Sequence, residues 1–213
     1  MTTAEIVTGL YAIADTDCIA AERLAEAVAL AIEGGARVIQ YRDKSDSRSL
    51  RERQAGELAR VCETHGVPLI VNDDPTLAGS VGAAGVHLGR DDPAVADARK
   101  RLGESAIIGV SCYNRLELAL AAQACGADYI AFGSFFPSAT KPAAVRASLG
   151  LLREARQRLR VPIVAIGGIT PENGGALMTA GADALAVVQG VFTAPDIRQA
   201  ARRYAVLFSP GME

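Results

Sequence analysis

Short apolar segments alternate with longer amphipathic segments along the whole chain. Eight short segments have the length and apolar character of buried strands, namely Val7–Ile13, Ala36–Tyr41, Pro68–Asn72, Gly85–Leu88, Ala106–Val110, Tyr129–Phe132, Pro162–Ile166 and Ala184–Val188. The segments between them have helical periodicity, for example Ala20–Glu33, Leu50–Thr64, Arg115–Ala124, Leu149–Leu159 and Ile197–Leu207. Eight strands that are each followed by a helix predict an α/β fold with a parallel sheet, here a single (β/α)8 barrel.

An internal repeat supports the barrel. Gly-Ala pairs end the helices that precede the even-numbered strands, at Gly35-Ala36, Gly82-Ala83, Gly126-Ala127 and Gly181-Ala182. Glycine at a helix C-terminus is explained by capping, so the repeat indicates architecture and carries no functional information. A doubly wound open sheet is the alternative, but no glycine fingerprint follows the first strand. We therefore expect residues 1–213 to form one barrel domain.

Composition narrows the functional classes. The 213 residues carry a formal net charge of −2, which gives no electrostatic reason to expect nucleic-acid or membrane binding. No apolar run reaches the roughly 20 residues of a membrane span, and the first residues lack a signal-peptide pattern. Cys18, Cys62, Cys112 and Cys125 show no metal or redox spacing, so reduced thiols are expected. These features predict a cytoplasmic enzyme.

Polar residues cluster where the predicted strands end, which is where barrels build active sites. Gln40, Arg42 and Lys44 share the parity of Val38 and are expected to face the barrel axis. Two cations that converge there predict a bound anion, since unpaired charge is costly to bury. The alternative is a surface network of Arg–Asp and Lys–Asp ion pairs around the loop.

Acidic residues follow the next two strands. Asp73 and Asp92 come just after strands 3 and 4, and Mg²⁺ is usually held by one or two carboxylates plus substrate phosphates. Asp73-Asp74-Pro75 alone is more typical of a helix N-terminus. Both roles are compatible if Asp73 binds metal and Asp74 caps the helix. Cations and carboxylates on adjacent strands together suggest a magnesium–pyrophosphate complex.

Glycines after the last strands suggest a second phosphate. Gly167-Gly168 follows strand 7 and Gln189-Gly190 follows strand 8, where barrels commonly hold a phosphate on backbone N–H groups. An ordinary turn capped by Thr170 is an equally good interpretation. Two phosphorylated ligands would point to a joining reaction.

For His87 we favour a structural role over a general base, because no Ser or Cys nucleophile is obviously paired with it.

These segments, in this order, resemble the thiamine phosphate synthase family along nearly the whole chain. The matching pieces are Gln40-Tyr41-Arg42-Asp43-Lys44, Val71-Asn72-Asp73-Asp74, Gly85-Val86-His87-Leu88-Gly89, Gly109-Val110-Ser111, Asp128-Tyr129-Ile130, Phe132-Gly133, Pro137-Ser138-Ala139-Thr140-Lys141 and Ala165-Ile166-Gly167-Gly168-Ile169. Each piece is short and modestly specific, but their combination at successive strand ends is highly specific.

The resemblance implies a Mg²⁺-dependent transferase of thiamine biosynthesis. It would couple hydroxymethylpyrimidine pyrophosphate with hydroxyethylthiazole phosphate, or its carboxylated form, to give thiamine phosphate and pyrophosphate. In the family, pyrophosphate is thought to leave first, and the thiazole nitrogen then captures a pyrimidine-stabilised carbocation. Such a step needs stabilised leaving-group charge, so neither a Ser–His nor a Cys–His pair is expected.

Site residues carry over by matching position. The resemblance implies pyrimidine-pyrophosphate contacts at Gln40, Arg42, Lys44, Asn72, Ser111 and Lys141. It implies Mg²⁺ ligands at Asp73 and Asp92, and a thiazole-phosphate site at Ser138, Thr140, Gly168, Val188 and Gln189. Arg42, Lys44, Ser111 and Lys141 are the residues expected to act in catalysis.

Some positions depart from the family pattern, and other functions stay open. Gln189 stands where a small hydroxyl residue is usual and would crowd the thiazole phosphate. Phe135-Phe136, and Ser138 in place of the commoner Thr, are milder departures.

The alternative functions are a related thiazole tautomerase, a sugar-phosphate isomerase or epimerase, and a non-catalytic thiazole-phosphate-binding barrel. We expect small phosphorylated substrates as partners, no nucleic acid and no membrane, and we leave self-association into a homo-oligomer open.

Overall fold

The computed structural model describes residues 6–137 and 145–209. Its eight parallel strands close into a barrel in sequence order, and β1 pairs with β8. The strands are β1 (Gly9–Asp15), β2 (Ala36–Arg42), β3 (Leu69–Asn72), β4 (Gly85–Leu88), β5 (Ile107–Tyr113), β6 (Tyr129–Gly133), β7 (Ile163–Ile166) and β8 (Ala184–Val187). The closed order confirms the predicted (β/α)8 barrel and excludes the open sheet.

Helices surround the barrel. In chain order they are α1 (Leu24–Glu33), α2 (Arg48–Thr64), α3 (Pro75–Ser80), α4 (Val95–Leu102), α5 (Leu116–Ala124), α6 (Leu149–Arg158), α7 (Pro171–Thr179), α8 (Gln189–Phe192) and α9 (Ile197–Ala205). Short 3-10 turns precede α1, at Ala21–Arg23, and follow α9, at Val206–Phe208. The predicted strands and helices agree with these bounds to within a few residues. That all 213 residues form one domain stays a prediction.

Strand periodicity divides the core in two. Outward-facing strand residues pack against the helices in one large cluster, to which Leu10, Ile39 and Ile130 contribute. Inward-facing residues fill the barrel in a second cluster, which contains Tyr11 and Tyr129. The alternation arises because successive strand side chains point to opposite faces. The barrel interior is therefore packed below, and its open end carries the polar strand termini.

Side-chain caps begin several helices where the sequence places Asp, Ser or Thr. The Asp74 carboxylate accepts the N–H of Leu77 at the start of α3, as the sequence predicted for this residue. At the start of α7 the Thr170 N–H donates to Asn173 Oδ1 at 2.9 Å, as a capped turn would have it; a phosphate on the neighbouring glycine N–H groups is compatible with this turn and stays a prediction. These two caps fix where α3 and α7 begin, and so they help to shape the loops that follow β3 and β7.

Within the described part of the chain, no helix is both long and apolar enough to cross a membrane. All four cysteines are unpaired. Cys62 and Cys112 are buried, and burial raises the pKa of each thiol to about 12, so both are inert neutral groups.

Candidate active site

A cavity of about 830 Å³ opens at the carboxyl ends of the strands. It lies where barrels place their active sites, and its volume is within the range of small-molecule sites. Seven of the predicted site residues line it, namely Gln40, Arg42, Asn72, Ser111, Gly168, Val188 and Gln189. The structure thus brings both predicted substrate regions into one cavity.

The two cations after β2 are paired with carboxylates. Arg42 Nη1 lies 2.5 Å from Asp15 Oδ2, and only 2% of the Asp15 side chain is exposed. Lys44 lies beyond the strand end, with half of its side chain exposed, and its ammonium contacts Asp73. The alternative interpretation expected Arg–Asp and Lys–Asp pairs, but on the surface around the loop; the Arg42–Asp15 pair is instead largely buried and joins β1 to β2. Arg42 nevertheless faces the cavity, so a role at a pyrophosphate stays a prediction for both cations.

Asp73 and Asp92 meet at the rim beside this cavity. Their carboxyl groups are close enough to share a proton, and Asp92 Oδ2 accepts the Gly89 N–H at 2.6 Å. Burial, and next the neighbouring Asp73, raise the pKa of Asp92, although the Gly89 bond opposes them. The pKa of Asp73 is lowered. Burial acts to raise this pKa, but the Lys44 ammonium and the proximity of Asp92 act in the opposite direction and prevail. Two carboxylates this close favour a shared proton or a cation.

This acidic pair fits a hard divalent cation. Within residues 6–137 and 145–209, no third His, Cys, Asp or Glu joins the pair in a metal-binding cluster. An ion held by Asp73 and Asp92 would complete its coordination with water and substrate oxygens, as Mg²⁺ commonly does. Asp73 also has φ of +66°, an uncommon conformation that Asp tolerates better than most residues. Its N–H donates to the His87 carbonyl at 2.8 Å, which holds the carboxylate at the rim.

The glycines after β7 have a packing reason that the sequence did not reveal. Gly168 has φ of +61°, and a Cβ there would lie 2.3 Å from the Pro137 carbonyl oxygen. At Gly167 a Cβ would lie 2.0 Å from Ser134 Oγ. The loop after β6 therefore lies directly on the loop after β7, and only glycine fits between them. A phosphate on their N–H groups stays a prediction.

Gln189 begins the short helix α8 at the cavity wall. Its side chain is exposed and within hydrogen-bonding reach of the Cys18 thiol. The predicted crowding of a thiazole phosphate by Gln189 is untested.

A chain of five polar side chains crosses the barrel along the floor of the cavity, which all five line. Gln40 Nε2 lies 2.9 Å from the Tyr11 hydroxyl, which lies 2.8 Å from the Tyr129 hydroxyl. His87 Nδ1 is 2.9 Å from the Tyr129 hydroxyl, and His87 Nε2 is 2.8 Å from Ser111 Oγ. Gln40 and Ser111, at its two ends, are both predicted pyrimidine contacts.

This chain corrects one expectation. The sequence predicted no Ser–His pair, whereas Ser111 and His87 are hydrogen-bonded. The pairing arises because β4 and β5 are neighbours whose register aligns His87 with Gly109, two residues before Ser111. The other imidazole nitrogen meets the Tyr129 hydroxyl rather than a carboxylate, so the pair lacks the carboxylate partner of a Ser–His–Asp triad.

Three predicted residues, Ser138, Thr140 and Lys141, lie outside the described residues. Four further residues were missed: Asp15, Tyr11, Tyr129 and Arg90, which all line the cavity. Tyr11 and Asp15 share the inward parity of Ile13. Tyr11 lies within the predicted first strand, and Asp15 would have been included had that strand been extended by two residues. Arg90 stacks over the Tyr113 ring at 4.8 Å from its centroid, and no sequence pattern pointed to that contact.

Fold and site together define a (β/α)8-barrel protein with a largely apolar cavity at the carboxyl ends of its strands, into which polar side chains such as Gln40, Arg42 and Ser111 project. The sequence pattern of the family described as "Thiamine monophosphate synthase" matches residues 10–191. The chain belongs to this family.

Individual relatives agree with the family. The chain is 57% identical over 198 residues to "Thiamine-phosphate synthase" of Nitrosococcus oceani, covering 93% of this chain and 91% of that protein. It is 53% identical over 209 residues to the protein of the same name from Thioalkalivibrio sulfidiphilus, covering 97% and 98%. Among solved structures, "Thiamine phosphate pyrophosphorylase" from Pyrococcus furiosus superposes with a TM-score of 0.85 at 32% identity, covering 96% of both chains.

Proposed function

We propose that this protein is a thiamine-phosphate synthase, a transferase of thiamine biosynthesis. It would join hydroxymethylpyrimidine pyrophosphate to hydroxyethylthiazole phosphate, or to its carboxylated form, and release pyrophosphate. The observation that carries the proposal is the single cavity that brings Gln40, Arg42, Asn72 and Ser111 to face the loops after β7 and β8. The family membership and the identity to relatives bearing this name support it.

The chemistry needs one bond broken and one formed at the same carbon. The C–O bond between the pyrimidine methylene and pyrophosphate breaks with its electron pair leaving on oxygen. The thiazole nitrogen then donates its lone pair to the methylene carbon. Arg42, Lys44 and Lys141 would neutralise charge that develops on the leaving group, which is where preorganised electrostatic stabilisation acts most strongly. We expect Ser111 and Gln40 to hold the pyrimidine ring.

Asp73 and Asp92 are the residues that would hold Mg²⁺. When bound, the ion would supply positive charge to the departing pyrophosphate. Both carboxylates are held in place: the Asp73 backbone N–H donates to the His87 carbonyl, and the Asp92 carboxylate accepts the Gly89 N–H. Lys44 contacts Asp73 in the structure, so this ammonium is placed to exchange its carboxylate partner for a pyrophosphate oxygen.

The test is pyrophosphate release by purified protein supplied with both precursors, with and without Mg²⁺. Release that requires both precursors and the metal, with thiamine phosphate formed in equal amount, is the expected result. Pyrimidine pyrophosphate or thiazole phosphate alone is the control. Binding of thiazole phosphate without any release would overturn the proposal in favour of a tautomerase or a non-catalytic barrel. A cytoplasmic location and self-association are further expectations that this assay leaves open.

A further inference from the structure

The five-residue chain along the floor of the cavity has a direction that its hydrogen-bonding groups dictate. Burial raises the pKa of the Tyr11 and Tyr129 hydroxyls, so both stay protonated and each has one proton to donate. Tyr11 accepts from Gln40 Nε2, and its other recorded partner is the Tyr129 hydroxyl. The buried Tyr11 O–H is therefore satisfied only if it donates to Tyr129. Tyr129 must then donate to His87 Nδ1.

The direction continues through the imidazole. If His87 accepts from Tyr129 at Nδ1, its proton is on Nε2, and this N–H donates to Ser111 Oγ. Ser111 then accepts from His87 and retains its own hydroxyl proton for the cavity, which it lines. At the other end, the Gln40 side chain donates an amide N–H to Tyr11. Its carbonyl oxygen has no hydrogen-bond partner among the described residues and is available as an acceptor.

We propose that Tyr11, Tyr129 and His87 are positioning residues that fix the hydrogen-bonding polarity of the pyrimidine site, with Gln40 as acceptor and Ser111 as donor. This inference rests on the proposed function and deepens it. A ring that carries an exocyclic amine beside a ring nitrogen offers the matching donor and acceptor. A ring with an oxo group and a ring N–H offers the reverse pattern and leaves buried groups unpaired, which discriminates strongly.

The barrel is built to hold this chain rigidly. Tyr11 and Tyr129 are 1% and 0% exposed and their rings pack at 6.0 Å between centroids. The His87 ring stacks on Tyr129 at 5.5 Å. The five side chains come from β1, β2, β4, β5 and β6. Because neighbouring groups in the chain cannot reverse their hydrogen bonds independently, the donor–acceptor direction set at Gln40 is maintained across the barrel to Ser111.

The imidazole tautomer tests the direction without any substrate. The chain has two histidines, and His65 Nδ1 lies 2.8 Å from the Val61 carbonyl, which can only accept. In protein labelled with ¹⁵N-histidine, two-bond ¹H–¹⁵N correlations should show His87 as the Nε2–H tautomer and His65 biased towards Nδ1–H. Tyr129→Phe should remove the single His87 tautomer. An Nδ1–H or averaged His87 in the wild type, or an unchanged pattern in Tyr129→Phe, would overturn the proposal.

Kinetics test the consequence for substrate choice. In Tyr129→Phe and Tyr11→Phe, kcat/KM for the aminopyrimidine pyrophosphate should fall about tenfold, the equivalent of one net hydrogen bond. The preference for that substrate over its oxo analogue should narrow, while KM for thiazole phosphate stays unchanged. Equal losses for both substrates, or an unchanged preference, would contradict the positioning role.

Tyr41→Phe is the matched control. The Tyr41 hydroxyl is also buried and hydrogen-bonded, to Gln54 at 2.8 Å, but it lies on the outward face of β2. Its removal should lower stability without changing the preference between amino and oxo substrates. A wild type that releases no pyrophosphate would refute the proposed function, whereas the tautomer pattern would still decide whether the chain has the inferred direction.

Discussion

Gly109→Ala is the substitution for which the structure makes the sharpest stability prediction. A Cβ at Gly109 would lie 1.9 Å from Cζ of Tyr129 and 2.3 and 2.4 Å from its two Cε atoms. Real Cβ contacts do not fall below 3.0 Å, so the ring would have to move by about 1 Å. Tyr129 is completely buried, and a close-packed interior gives the ring no free space to enter.

The expected cost has two parts. Overpacking of this kind costs about 1–3 kcal/mol. A displaced Tyr129 hydroxyl would also weaken its contacts with Tyr11 and His87, and an unsatisfied buried polar group costs about 1–3 kcal/mol. The free energy of unfolding should therefore fall by about 2–6 kcal/mol. At about 3 °C per kcal/mol for a chain of this size, Tm should fall by roughly 6–18 °C.

Urea unfolding followed by circular dichroism would measure the loss, with Gly175→Ala as the control. Gly175 lies inside α7, and a Cβ there meets nothing within 4 Å, so alanine should stabilise by up to about 1 kcal/mol. The second test is a Tyr129→Leu background, which lacks the clashing ring atoms. There the Gly109→Ala cost should shrink, giving a coupling energy above about 1 kcal/mol. A cost below about 0.5 kcal/mol, or an equal cost in both backgrounds, would refute the reasoning.

The remaining predictions concern the charged groups at the cavity. Asp15→Ala should lower the unfolding free energy by about 3 kcal/mol, because Arg42 loses its buried partner; a urea midpoint equal to wild type would contradict this. Asp92→Asn should weaken Mg²⁺-dependent turnover yet stabilise the metal-free protein by about 0.5 kcal/mol or less, since it removes a partly buried carboxylate beside Asp73 in a screened site. That stabilisation should be complete above the raised pKa of Asp92, where the wild-type group is ionised, and be lost as pH falls to the ordinary pKa of an aspartate; a gain that persists at low pH would exclude ionisation of Asp92 as its cause. Asp73→Asn should shift the magnesium titration to higher concentration, and an unchanged titration would remove Asp73 from the metal site. Lys141→Ala should depress turnover far more than Tm, and near-normal activity would refute its assigned role.

The architecture of the site was largely predictable because its signals are local. Strand parity placed Gln40 and Arg42 inward, and both line the cavity. The Asp-Pro pair at Asp74 predicted a helix cap, which Asp74 forms with the Leu77 N–H. Each of these predictions depends on residues that lie within a few positions of one another, where period and capping chemistry are sufficient.

The partners of the polar side chains were predicted less well. Arg42 was expected to bind a substrate anion, whereas in the structure it donates a hydrogen bond to Asp15, which lies 27 residues earlier. Ser111 was expected to have no histidine partner, although His87 lies 2.8 Å away. Both pairs join side chains from neighbouring strands, and their contact depends on the register with which those strands align. The sequence shows parity but not register, because a helix separates each strand from the next.

By itself, the sequence determined the eight-fold alternation of strands and helices, the face that each strand side chain occupies, and the caps that end the loops. The tertiary structure decided which polar groups meet across the barrel, why Gly109 must lack a side chain beside Tyr129, and why Gly168 lies against the loop after β6. The physical reason is that side-chain periodicity is a property of each element alone. Closure of the barrel instead brings together side chains from distant parts of the chain, at distances that register and packing set.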